Sequence, residues 1–377
     1  MKTKTTVMNV SSRLARRLRP ALIVLAALAI SIQLPAQAST IVTFDAPGAG
    51  SGPDQGTLSQ SVYAPGVIVG FTRDMANVRH GFRRDKNGDF TIFDAPGAGT
   101  GDGQGTRAYG QTPSGTIVGI YSDTNDVFHS YVRSKKGAFT VFDAPGAGTG
   151  VGQGTFAWSI NPAGTIAGYY VNASDVVHGF VRAANGTITT VDPMGSTFTN
   201  IGTLSLNPSG ALTGTYSDVD GVNHGFVRAA SGTITTFDVP GANMEPGLGT
   251  LALSINPSGT VTGVYLDENF VVYTFVRDVQ GTITTFGAPG AGTGVFQGTE
   301  PFSINPSGDI TGNYTDESYA SHGFVRRANG TGTTIDVAGA GTAADQGTYP
   351  VANDGAGDVS GYYIDTFGAV HGFLLAK

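Results

Sequence analysis

The residues able to do acid–base or metal chemistry come in pairs. Five of the six histidines have an aspartate fourteen positions on: His80 with Asp94, His129 with Asp143, His178 with Asp192, His224 with Asp238 and His322 with Asp336. That spacing suits a hairpin whose short loop ends in glycine, such as Asn185-Gly186, and sets His178 opposite Asp192 on neighbouring strands. Cross-strand opposites have Cβ atoms about 5 Å apart, within hydrogen-bonding reach. The sixth histidine, His371, has no aspartate ahead of it, and Asp45 has no histidine behind it. Tyr273 and Gly287 stand where a seventh pair would, so both halves are lost together, as direct contact predicts. A His–Asp couple can serve as a catalytic base or a metal ligand with its support. Six copies serve one active site poorly, so we read them as structural braces, with His371 and Asp45 as the sixth pair.

A second acidic column lies four residues after a repeated glycine: Asp74, Asp123, Asn172, Asp218, Asp267, Asp316 and Asp365. Turn chemistry explains such residues, because aspartate caps and bends loops. Asp218-Val219-Asp220-Gly221 is similar to the start of a calcium loop but lacks the distal glutamate. Asp218 and Asp220 are therefore the only calcium candidates, and no other cofactor is expected. Glycine-rich segments such as Ala144 to Gly150 carry neither GxxxxGKS/T nor a following helix, which excludes a phosphate loop.

Function belongs where the repetition breaks. The position after each Gly-Thr holds Leu58, Arg107, Phe156, Leu204, Leu251, Glu300 and Tyr349. Tyr109 and Trp158, the one tryptophan, follow in the same strands. An aromatic ring beside an acid and an arginine can grip a sugar or a peptide. Arg107, Tyr109, Phe156, Trp158, Glu300 and Tyr349 are therefore the ligand-binding candidates; drift between copies is the plainer explanation of the same variation. No catalytic residue is assigned.

Composition narrows the alternatives. The absence of cysteine excludes disulfides, thiolate metal sites and a cysteine nucleophile. Charged residues are 13% of the chain, about half the globular norm, which argues against helical bundles. Residues 1–38 hold six basic residues and no acid, and the remainder carries a net charge of −13. So anionic a domain is a poor nucleic-acid binder. The basic start, the apolar run from Ala21 to Leu34 and Ala36-Gln37-Ala38 form the pattern of a cleavable signal peptide over 1–38. A secreted protein follows, periplasmic or extracellular, with no transmembrane anchor in the mature chain.

The elements that position these residues are repeats. The histidine column recurs at spacings of 49, 49, 46, 49, 49 and 49 residues, filling 39–377 as a single domain. Each copy reads as four short strands parted by Asn, Pro and Gly turns. In the third copy they run over 156–161, 165–170, 178–183 and 187–192. Seven copies of four strands match an all-β, seven-bladed β-propeller; a β-solenoid is the runner-up. Residues 40–45 read as a fourth strand and 371–377 as a third, so the N-terminal strand completes the last blade and closes the ring. The mid-strand glycines Gly70, Gly119, Gly168, Gly214, Gly263, Gly312 and Gly361 imply close backbone approach, expected between neighbouring blades. The tyrosine column Tyr121, Tyr170, Tyr216, Tyr265, Tyr314 and Tyr363 reads as core.

The repeated SINPSG and HGFVR motifs, as at Ser254 to Gly259 and His322 to Arg326, resemble those of the extracellular HAF-repeat proteins of bacteria. The resemblance covers residues 41–377. It implies a secreted repeat protein and supplies no catalytic residues. The function expected is a monomeric binding or scaffold protein that presents loops to a glycan, a peptide or a cell-envelope or other protein partner. A propeller-type lyase or hydrolase at the channel mouth is the alternative, and a structural matrix protein a third.

Overall fold

Runs of β-branched and aromatic residues between turns of Asn, Asp, Pro and Gly give strands, and all 28 elements of the described residues are strands. The structure is a computed structural model that describes residues 40–202 and 204–377; the expected signal peptide lies outside them. Among the described residues no helix is long and apolar enough to cross a membrane.

The third copy shows the unit. Strands Gly154–Ile160, Ile166–Val171, Val177–Arg182 and Ile188–Val191 pair antiparallel in chain order. Six units have this order. In the seventh, Gly347–Asn353, Val359–Ile364 and Val370–Ala376 are completed by Thr40–Phe44, which pairs from Thr40↔Ala376 to Phe44↔Gly372.

The mid-strand glycines do make a close approach, but it is not the one expected. It lies within a unit, not between neighbours. A Cβ on Gly168 would stand 2.0 Å from the carbonyl oxygen of Phe156, and one on Gly312 2.0 Å from that of Glu300. The cause is a β-bulge in the first strand, which leaves Tyr109, Trp158, Leu253, Phe302 and Val351 outside the pairing and re-aims them.

Three devices join neighbouring units. In every unit but the fourth the glycine of Gly-Thr meets the start of the preceding unit's third strand, as in Gly56↔Val370 and Gly105↔Arg79, and the threonine hydroxyls of these two accept the Ala46 and Ala95 amides. The last arginine of the third strand lies over the preceding unit's fourth-strand phenylalanine: Arg84 over Phe44, Arg133 over Phe93, Arg182 over Phe142. Where Ile335 replaces that phenylalanine, Leu375 replaces the arginine and both join one apolar cluster. Finally, Asn161, Asn207, Asn256 and Asn305 each donate to the backbone carbonyl of the equivalent residue one unit on, ending at Asp354. The apolar core therefore sits between units: Val69 and Phe93 of the first pack on Ala108, Ile117, Tyr121 and Tyr131 of the second.

Candidate functional site

Each histidine is flanked on both nitrogens, and all but His80, which faces Thr72, carry a tyrosine ring on one face. Nδ1 meets the aspartate fourteen residues on at 2.7 to 3.0 Å, from His224–Asp238 to His80–Asp94, and at 2.9 Å for His371–Asp45. Nε2 faces the acidic loop column, at 3.3 Å for His224–Asp218 and His322–Asp316 and 3.5 Å for His80–Asp74 and His371–Asp365. In the third unit Asn172 takes that place at 3.1 Å. The tyrosine column stacks on the imidazoles, with Tyr216–His224 and Tyr314–His322 centroids 5.0 Å apart. The fifth unit substitutes Tyr273 stacked on Tyr265. Spacing alone misses the second carboxylate, because a loop of five intervening residues turns it back onto the histidine.

These contacts occupy Asp218, one of the two calcium candidates. Asp218 Oδ1 accepts the Asp220 and Val222 amides, and Oδ2 faces His224. Among the described residues no three of His, Cys, Asp and Glu are grouped to hold a metal. Backbone donation from Val222 holds the Asp218 carboxyl below its usual range. At His224, burial works against the charged form, and the hydrogen bonds and charges of Asp238 and Asp218 outweigh it, leaving the imidazole more basic than usual.

The candidate ligand residues separate into two places. Tyr109, Phe156 and Trp158 form one aromatic cluster: Tyr109–Trp158 centroids are 4.1 Å apart, Phe156–Tyr169 4.7 Å and Phe156–Phe128 4.6 Å. Tyr109 and Phe156 are buried in it, at 6% and 7% exposure, so their rings meet other rings. Arg107 lies over Phe128 at its edge. Tyr349 stacks on Tyr362 at 5.1 Å and donates to the Asp345 carbonyl; burial raises both phenols, Tyr362 to about 12.

Glu300 lies apart from the aromatic cluster, near enough to Tyr349 and Tyr362 for its charge to act on both phenols. It lines a cavity of about 610 Å³ with Phe302, Leu251 and Leu253 from the fifth and sixth units and Phe198, Asn200, Ser217 and Asn223 from the fourth. That lining contains neither Arg107 nor Trp158. The Glu300 carboxylate has no hydrogen-bond or ion-pair partner among the described residues, and burial pushes it up. Asn200 Oδ1, in the same wall, is buried and has no partner among the described residues.

Asn200 corrects the sequence alignment of the fourth unit. Leu204 does not occupy the variable position there. The first strand is Phe198–Asn200, and Thr199↔Tyr216 and Asn200↔Thr215 take the register of Thr155↔Tyr170 and Phe156↔Tyr169. Leu204 falls in a longer irregular stretch, with φ of 57°. Phe302 was missed because the bulge, invisible in the spacing, turns it toward the cavity.

No family model matches the chain, and no curated protein does. Several solved structures are distantly similar. AofleA from Arthrobotrys oligospora is 12% identical, covering 79% of this chain and 92% of its own at a TM-score of 0.45. The BP39L lectin from Burkholderia pseudomallei is 12% identical over 89% and 96%, with a TM-score of 0.45. Puromycin hydrolase is 13% identical over 85% of this chain and 53% of its own, with a TM-score of 0.49.

Proposed function

We propose that the seven units are blades of a closed β-propeller and that the protein is a secreted, monomeric binding module whose channel mouth takes a saccharide of an envelope or extracellular partner. The closed ring is supported by the pairing of Thr40–Phe44 with Val370–Ala376. It is supported also by a cavity of about 140 Å³ to which every unit contributes, among them Ser61, Tyr109, Trp158, Leu206, Ser254, Ser303 and Asn353. Secretion rests on the pattern of residues 1–38.

One observation carries the binding reading: the Glu300 cavity joins the rings of Phe198 and Phe302 to a carboxylate and an amide oxygen that have no partners among the described residues. Its volume lies within the range of ligand pockets, about 300–1,000 Å³. Aromatic faces pack on sugar C–H groups, and the free acceptors take hydroxyl hydrogens.

A hydrolase or lyase at the same mouth is the second reading, favoured by the raised Glu300 carboxyl, which a general acid requires. Glu300 is the sole acid of that lining, however, and glycoside hydrolysis by paired carboxylates takes two. Binding is therefore preferred. Calorimetric titration with a panel of neutral and acidic oligosaccharides tests it: saturable binding lost in Phe302→Ala supports the module. Turnover of the bound saccharide, lost in Glu300→Gln, would establish the enzyme instead, and no binding would contradict both.

A further inference from the structure

The first two units hold another break in the repetition. Arg73, Arg79 and Arg107 are each the only basic residue in their column: the equivalents of Arg79 are Phe128, Val177, Asn223, Val272, Ser321 and Val370. The fold brings the three together. Arg79 Nη1 and Arg107 Nη2 both donate to the Gly103 carbonyl, and Arg73 Nη1 donates to the Asp54 carbonyl at 2.9 Å. Arg73 and Arg79 line a cavity of about 240 Å³ with Asp54, Asn77 and Asp102. Neither aspartate reaches ion-pair distance; among the described residues the one arginine–carboxylate pair is Arg327–Asp309.

The repeated arginines are spent on phenylalanine rings, as Arg133 is on Phe93. These three donate to backbone carbonyls, Arg107 also lying over Phe128, and none has a carboxylate at ion-pair distance, although the Asp102 charge acts on Arg79. Burial, Arg107 and Arg73 together push Arg79 down to about 10, which shows how closely the cations crowd. An anion in the cavity relieves that repulsion, and guanidinium forks match the oxygens of carboxylate and sulfate.

We propose that Arg73, Arg79 and Arg107 form a subsite for the carboxylate or sulfate group of an acidic saccharide. The saccharide as source of the anion rests on the function proposed above; the anion itself rests on the arginines. The test is calorimetric titration of the full chain with trigalacturonate, neutral galactotriose and sodium sulfate, at low and high sodium chloride. The variants are Arg79→Gln and Arg107→Gln, with exposed Lys86→Gln as control and a melting curve for each to verify folding.

Trigalacturonate should bind more tightly than galactotriose, lose affinity with salt, and weaken about ten-fold or more in either arginine variant, the usual worth of a hydrogen bond to a charged group. Equal binding of both trisaccharides, unchanged in both variants, overturns the subsite and leaves the saccharide reading standing. Sulfate binding that depends on Arg79, with neither trisaccharide bound, sustains the subsite and overturns the saccharide reading. Binding of none of the three overturns both.

Discussion

His371 Nδ1 lies 2.9 Å from Asp45 Oδ1, across 326 positions of sequence. The contact accompanies five register pairs between Thr40–Phe44 and Val370–Ala376, and Phe44 in turn lies under Arg84 of the first unit. Deleting residues 40–46 removes all of these and the Ala46 amide bound to Thr57. The expected outcome is a melting temperature lower by at least several degrees for the whole chain, with transitions coincident by different probes. An unchanged melt would mean that the last unit does not depend on the first strand.

His178 and Asp192 touch at 2.8 Å. In a double-mutant cycle, His178→Ala and Asp192→Ala should couple by about 0.5–3 kcal/mol in urea unfolding. Additive losses would show that the pair contributes nothing as a pair.

His224 makes stability depend on pH. Its raised basicity means that the protonated form is favoured by folding. Its contribution is complete below the unfolded value of 6.5 and is lost as pH rises through the folded one. Asp218 is shifted downward, so its contribution is present above the unfolded value of 3.8 and is lost as acid takes the pH through the folded one. The stability advantage of the natural protein over His224→Gln should therefore be largest between roughly pH 4 and 6.5 and shrink above that. Urea unfolding across pH measures it, and a difference constant from pH 5 to about 8 would contradict the assignment.

Gly312→Ala would set a Cβ against the Glu300 carbonyl. Overpacking of this kind costs about 1–3 kcal/mol, or more where backbone cannot yield. The bulge that re-aims Phe302 should shift with it, so saccharide binding should fall along with the melting temperature. Full retention of both would show that the bulge is not needed.

Asn256 separates two roles of the Asn-Pro-Ser-Gly turn. Oδ1 accepts the Ser258 and Thr260 amides, while Nδ2 donates to the Asn305 carbonyl. Asn256→Ala loses both and should cost about 1–3 kcal/mol. Asn256→Thr keeps a turn acceptor, as Thr112 does naturally, and loses the link between units. It should cost less; equal costs would assign the whole effect to the link.

The four-strand unit and the His–Asp contacts are legible in the sequence because repetition fixes register: a spacing found five times leaves one pairing. The expected strands of the third copy agree with the structure within two residues. The fourth unit misleads, since Gly202-Thr203 looks like the repeated dipeptide while Phe198-Thr199 holds its place. Burial of Ile201, at 0% exposure, sets the register there rather than the dipeptide. Asn200 was hidden by that misleading dipeptide, and Phe302 because a bulge leaves no mark in residue spacing. The arginine cluster was hidden because its members stand in three different columns, and only the fold brings Arg79 and Arg107 to one carbonyl, with Arg73 across the same cavity from Arg79.

The most direct test of the channel mouth as a saccharide site is thermal melting of the protein against neutral and acidic oligosaccharides. A ligand at one hundred times its dissociation constant stabilises the folded state by about 2.7 kcal/mol, readily visible in a melt. The account predicts an upward shift with at least one saccharide class, abolished by Phe302→Ala. An unmoved melting temperature with every saccharide, while Phe302→Ala melts as the natural protein does, would contradict it.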